Sequence, residues 1–210
     1  MSTNTPLSLI ALHRLVPIIV IDDAKDSVAV ADALLAAGLP VAEVTFRTAA
    51  AEESIRRISA RGGLLTGAGT VLTVEQVKRA AGAGAQFIVS PGFSRDVVRY
   101  CIENALPVFP GVATPTEIQM ALEFGLNTLK FFPADAFGGL KALKAISAPF
   151  PGVSFIPTGG ISAANLQEYL AFPKVAACGG SWMVRQELIR SGAFDQITRL
   201  TKEAVAIARP

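Results

Sequence analysis

Three observations predict an α/β fold of the (β/α)8 barrel type. Short apolar, β-branched runs alternate with longer Ala-rich stretches of helical period. The runs are mostly apolar, so they read as strands buried on both faces of a parallel sheet. There are eight of them within 210 residues, which makes a compact barrel, since about 250 residues is typical. The expectation is one domain over residues 1–210, with an N-terminal helical segment ahead of the first strand.

The strand runs are Pro17–Ile21, Val41–Thr45, Leu64–Gly67, Gln86–Val89, Pro107–Phe109, Thr128–Phe132, Val153–Pro157 and Val175–Cys178. The helical stretches between them are Lys25–Ala37, Ala50–Ser59, Val74–Ala81, Ser94–Glu103, Thr116–Phe124, Leu140–Ile146 and Ala163–Leu170, with a helical tail over Ala193–Ala208. Turn signals mark each change of period: Ala37-Gly38-Leu39-Pro40 ends one helix and Phe124-Gly125-Leu126-Asn127 another. Thr73 and Ser162 stand where N-caps belong. The competing architecture, an open doubly wound sheet, usually carries a Gly-rich turn after its first strand, and none follows Ile21.

Composition narrows the chemistry. Hydrophobic residues are 51% and charged residues 17%, the reverse of a disordered chain. Nineteen basic against seventeen acidic residues leave a formal charge of +2, with no basic stripe to suit nucleic acid. A single histidine, His13, excludes zinc sites built from two or three imidazoles. Cys101 and Cys178 lie far apart with no C-x-x-C spacing, so they read as core residues. The longest apolar stretch, Leu15 to Ile21, is too short to span a bilayer and is interrupted by Pro17. Together these lead to an expectation of a cytoplasmic, soluble protein with no membrane or nucleic-acid partner, no metal and no cofactor.

A barrel places its chemistry at the C-terminal ends of its strands, so polar residues that interrupt the strand pattern there are the candidates. Lys130 lies inside Thr-Leu-Lys-Phe-Phe-Pro, with no other charge between Glu123 and Asp135. A charged lysine in a buried strand is costly unless paired, and a free amine is a nucleophile toward carbonyls. It reads either as the partner of a carboxylate or as a reactive amine. In Val41 to Arg47, a period of two puts Glu43, Thr45 and Arg47 on one face and Ala42, Val44 and Phe46 on the other. Glu43 is then a general acid and base or an ion-pair partner. Arg47, at the strand end, suits capture of a carboxylate. Pro157-Thr158-Gly159-Gly160-Ile161-Ser162 and Cys178-Gly179-Gly180-Ser181-Trp182 end the seventh and eighth strands. Glycine-rich turns there expose backbone N–H groups to an anion, and barrels often bind phosphate after these strands. Thr70, after Gly67-Ala68-Gly69, could donate to a ligand, and Ser90-Pro91-Gly92 shapes the rim. Asp22 and Asp23 suit a helix start; Trp182 reads as packing beside its glycine turn, and His13 as structural.

These motifs resemble one family: 2-keto-3-deoxy-6-phosphogluconate (KDPG) aldolase, also described as 4-hydroxy-2-oxoglutarate (KHG) aldolase. The resemblance is carried by Val-Pro-Ile-Ile-Val at 16–20, Glu-Val-Thr-Phe-Arg-Thr at 43–48, Gly-Ala-Gly-Thr-Val-Leu at 67–72 and Ser-Pro-Gly at 90–92. It continues through Lys-Phe-Phe-Pro-Ala at 130–134, Pro-Thr-Gly-Gly-Ile at 157–161 and Gly-Gly-Ser-Trp at 179–182. It implies a class I aldolase of the Entner–Doudoroff pathway, usually a homotrimer, acting on a phosphorylated keto acid. It further implies that Lys130 forms the Schiff base and Glu43 is the general acid and base. Arg47 and Thr70 would hold the pyruvate carboxylate, and Pro91 would pack against the pyruvyl group. Thr158, Gly159, Gly160, Gly180 and Ser181 would line the substrate and phosphate site. Alternatives are the galactonate epimer as substrate, a phosphosugar isomerase or epimerase with Glu43 as enolising base, and a non-catalytic phosphosugar-binding barrel.

Overall fold

The computed structural model describes residues 5–209; residues 1–4 and 210, the ends of the expected 1–210 domain, lie outside the described residues. The chain begins with helix α1 (Pro6–His13), then β1 (Leu15–Ile19), α2 (Ser27–Ala36), β2 (Val41–Thr45), α3 (Ala51–Arg61), β3 (Leu65–Gly69), α4 (Val74–Gly82) and β4 (Phe87–Val89). It continues through α5 (Arg95–Glu103), β5 (Val108–Phe109), β6 (Gly111–Val112), α6 (Pro115–Glu123), β7 (Thr128–Phe131), α7 (Gly139–Ser147) and β8 (Ser154–Pro157). The last elements are α8 (Leu166–Leu170), β9 (Cys178–Gly180), α9 (Gln186–Arg190) and α10 (Phe194–Ala208).

All strand pairs are parallel. A curved six-stranded sheet has the order β5-β4-β3-β2-β1-β9, and a three-stranded sheet the order β6-β7-β8. Single bridges, Phe155 to Val175 and Thr158 to Gly179, connect β8 with the approach to β9 and with β9 itself. One expected strand, Pro107–Phe109, is longer than expected and broken. Pro110 separates β5 from β6, because a proline has no N–H to give to a ladder, yet its carbonyl accepts from Lys130 N–H at 3.0 Å.

The helices cover the outer faces. In α3 the buried positions Ala51, Ser54, Ile55 and Ile58 form one stripe, while Glu52, Glu53, Arg56 and Arg57 pair on the solvent side at 2.7–2.9 Å. Thr73 caps α4 by accepting from Gln76 N–H, as expected. Thr114 and Glu117 form a reciprocal capping box around Pro115 at the start of α6. Ser162 does not cap a helix: α8 starts three residues later than expected, and Ser162 N–H donates to Asn165 Oδ1 at 2.8 Å. The expected helix from Lys25 starts as a 3-10 turn, Ala24–Asp26, with Asp23 as its cap.

Two apolar clusters result. The larger lies between helices and sheets. The smaller lies inside the curvature of the strands, where Val16, Val41, Leu65, Phe87, Val89, Phe109, Ile156 and Ala177 meet Ile10 of α1. Ile10 is 1% exposed, so α1 seals the N-terminal ends of the strands; burying such a side chain contributes roughly 1.5–3 kcal/mol. His13 ends α1 at that sealed end. No helix among the described residues is long and apolar enough to cross a membrane.

Candidate active site

Lys130 and Glu43 enter the interior because of strand period. On β7, Leu129 and Phe131 join the outer core, which turns Lys130 inward. On β2, Ala42 and Val44 face out and Val41 and Glu43 face in. Lys130 Nζ lies 3.5 Å from Glu43 Oε1, with both side chains buried, at 6% and 4% exposed. The Phe132 ring centroid lies 5.1 Å from Nζ, within cation–π range. The two groups line a small cavity of about 10 Å³, with Ile10, Val16, Phe87, Val89, Phe109, Ile156 and Thr158. That is about the room one water occupies. The carboxylate reaches this position because residue 69 is glycine: a Cβ there would lie 1.9 Å from Glu43 Oε1.

Above this cavity, at the C-terminal ends of the strands, opens a cleft of about 390 Å³. Ile18 and Val20 border it from β1 and its exit, Arg47 from beyond β2, and Phe132 from the end of β7. Thr158 to Ile161 follow β8; Gly179 to Ser181 end β9; Val184, Arg185, Gln186 and Glu187 complete the wall. Thr158 lines both spaces. The loop after β8 is held to the loop after β7, with Ala134 N–H donating to Thr158 O at 2.8 Å and Asp135 N–H to Gly159 O at 3.0 Å. Gly160 is obligatory in this clasp: φ is +80° and a Cβ would meet Asp135 Cβ at 2.1 Å.

Of the residues singled out from sequence, Lys130, Glu43 and Thr158 meet at the inner cavity, while Arg47, Thr158, Gly159, Gly160, Gly180 and Ser181 line the cleft. Thr70 and Pro91 border neither space. Thr70 is half-buried with φ +56°, a left-handed conformation rare for a β-branched residue. The Pro91 carbonyl sits hard against Gly111. Trp182 packs on Gly180, and the two cysteines are buried. Asp22 holds the last βα unit: its carboxylate accepts from Gln186 Nε2 at 2.8 Å and Arg190 Nε at 2.6 Å, and these contacts keep its carboxyl below the usual range.

Beyond these six, the cleft wall holds residues to which the sequence gives no role, among them Ile18, Phe132, Arg185 and Gln186. Phe132 had a signal, since it adjoins the lysine in the motif. Arg185 and Gln186 sit at the start of a single-turn helix, too short to show a period.

The sequence pattern of the KDPG and KHG aldolase family matches residues 8–200. The chain belongs to this family. It is 48% identical over 195 residues to the 2-dehydro-3-deoxy-phosphogluconate aldolase of Treponema pallidum, covering 92% of this chain and 93% of that protein. It is 43% identical over 203 residues to the KHG/KDPG aldolase of Escherichia coli K12, covering 96% and 95%. In fold it superposes on the KDPG aldolase of Legionella pneumophila, solved with pyruvate captured as a covalent carbinolamine intermediate, with a TM-score of 0.92 at 42% identity, covering 97% and 98% of the two chains.

Proposed function

We propose that this family member is a class I aldolase that cleaves 2-keto-3-deoxy-6-phosphogluconate to pyruvate and glyceraldehyde 3-phosphate, with action on 4-hydroxy-2-oxoglutarate as well. The observation that carries the reading is the buried Lys130–Glu43 pair at 3.5 Å, set beneath an open cleft.

The Lys130 amine adds to the C2 ketone to give a carbinolamine, which loses water to form an iminium. Glu43 accepts the C4 hydroxyl proton as the C3–C4 bond breaks. The bond's electrons pass to the imine nitrogen, leaving an enamine, and the aldehyde departs. Glu43 returns a proton to C3, and water releases pyruvate and the free amine. Such proton shuttling contributes roughly 10²–10⁴-fold. Arg47, on the cleft wall, holds the pyruvate carboxylate; the resemblance adds Thr70, one residue past the Gly69 that Glu43 lies against, and Pro91 beside the pyruvyl group, neither of which lines the cleft or the inner cavity. Thr158, Gly159, Gly160, Gly180 and Ser181 carry the remainder of the substrate and its phosphate.

The two sheets are the parts of one closed (β/α)8 barrel within a single domain over 1–210. Continuity across Pro110 and the two bridges beside β9 support that closure. The protein acts in the cytoplasm as a homotrimer on a phosphorylated keto acid, with no cofactor. Borohydride reduction in the presence of pyruvate tests the reading: a stable adduct is expected on the Lys130 peptide. Cleavage activity without any adduct would instead support the isomerase-like alternative, with Glu43 as an enolising base.

A further inference from the structure

We propose that Arg185 is a specificity-determining residue that binds the phosphoryl group at the far end of the substrate. This rests on the aldolase reading above and goes beyond it by giving a role to a side chain outside the family motifs. Two guanidinium groups line the cleft, Arg47 and Arg185, and neither lines the inner cavity. Arg47 lies in the turn two residues past β2, the strand that carries Glu43. Arg185 comes five residues beyond Gly180 and shares the cleft wall with Gly159 and Gly160 after β8 and with Gly179 and Gly180 in β9.

Its surroundings leave it available. Arg185 Nε donates to Trp182 O at 3.2 Å, which orients the fork while its terminal nitrogens keep free donors. Among the described residues Arg185 makes no ion pair, whereas nearby Arg190 is bound to Asp22 at 2.6 Å. Glu187 shares the cleft wall but is not within ion-pair distance of Arg185. The segment itself is fastened, because Gln186 Nε2 donates to both Asp22 oxygens at 2.8 Å. A planar fork on the same cleft wall as two glycine pairs suits a dianionic phosphate.

The test compares kcat/KM for 2-keto-3-deoxy-6-phosphogluconate with that for its unphosphorylated counterpart. In Arg185→Gln the ratio of the two is expected to fall on the order of 10- to 100-fold, mainly through KM, as for loss of a charged hydrogen-bonded contact. Arg185→Lys should recover part of it. Lys202→Gln, which removes a positive charge from exposed α10, should leave the ratio as it is. An unchanged ratio in Arg185→Gln, or an equal fall for Lys202→Gln, would overturn the proposal while leaving the aldolase reading standing. Absence of cleavage by the unsubstituted chain would overturn both.

Discussion

Lys130 Nζ and Glu43 Oε1 stand 3.5 Å apart although 87 positions separate the two residues in the chain. Neither group has another charged partner among the described residues. Removing one member of a buried pair strands the other charge, which costs about 3–5 kcal/mol. Lys130→Met is therefore expected to abolish cleavage and to lower the unfolding free energy by about 3 kcal/mol. Adding Glu43→Gln should restore most of the stability and none of the activity. Denaturant titration of the single and double variants checks this; equal stability of all three would contradict it.

Gly69→Ala should act on the same pair without touching either charge. The new methyl would occupy the position of the Glu43 carboxylate. Shifting a proton carrier out of reach is expected to lower kcat about 100-fold or more, with a stability loss of about 1–3 kcal/mol from overpacking. The pyruvate–borohydride adduct on Lys130 should still form. Steady-state kinetics alongside adduct mass separates the two effects.

Ile10→Ala should be a stability variant. It opens the sealed end of the interior, and core Ile→Ala changes cost about 2–5 kcal/mol. A fall in thermal midpoint is expected, followed by calorimetry. A shift smaller than that of an exposed control such as Leu12→Ala would mean that α1 does not seal the end.

The cysteines should be silent at neutral pH. Burial pushes the Cys101 thiol up to about 11 and the Cys178 thiol to about 12, and only the thiolate is reactive. Alkylation at pH 8 should modify neither until the protein is unfolded. The folded values lie above the ordinary thiol value of 9.0. Their contribution to stability is thus complete below about pH 9 and is lost as pH rises from there toward 12. Urea midpoints measured across that range should decline with pH; a flat profile would refute it.

Much of the fold was legible because buried parallel strands and amphipathic helices leave different periods in sequence. Lys130 and Glu43 stood out for the same reason, as charges inside apolar runs. The strand ends were not legible where glycine lies in the strand. β3 extends through Gly69 and β9 through Gly180, two residues past the expected ends. Glycine reads as a turn, but here the strand continues because side chains approach the backbone: Thr158 against Gly179, Glu43 against Gly69. The shift also moved β9 away from the expected Val175–Cys178. Likewise β1 begins at Leu15 rather than Pro17, since Leu15 and Val16 pair with Cys178 and Gly179, a partnership that no local pattern reveals. Of the cleft, the glycine pairs were visible and Arg185 was not, for its place on the wall depends on what lies beside it in space.

Helix α1, with Ile10 driven into the strand interior, makes the rim both entrance and exit. Depth then dictates traffic. Under the aldolase reading the aldehyde half lies outermost and departs first, and pyruvate, linked at the bottom, leaves last. Run backwards, the order inverts: pyruvate must load an empty enzyme, and the aldehyde meets only an enzyme already charged.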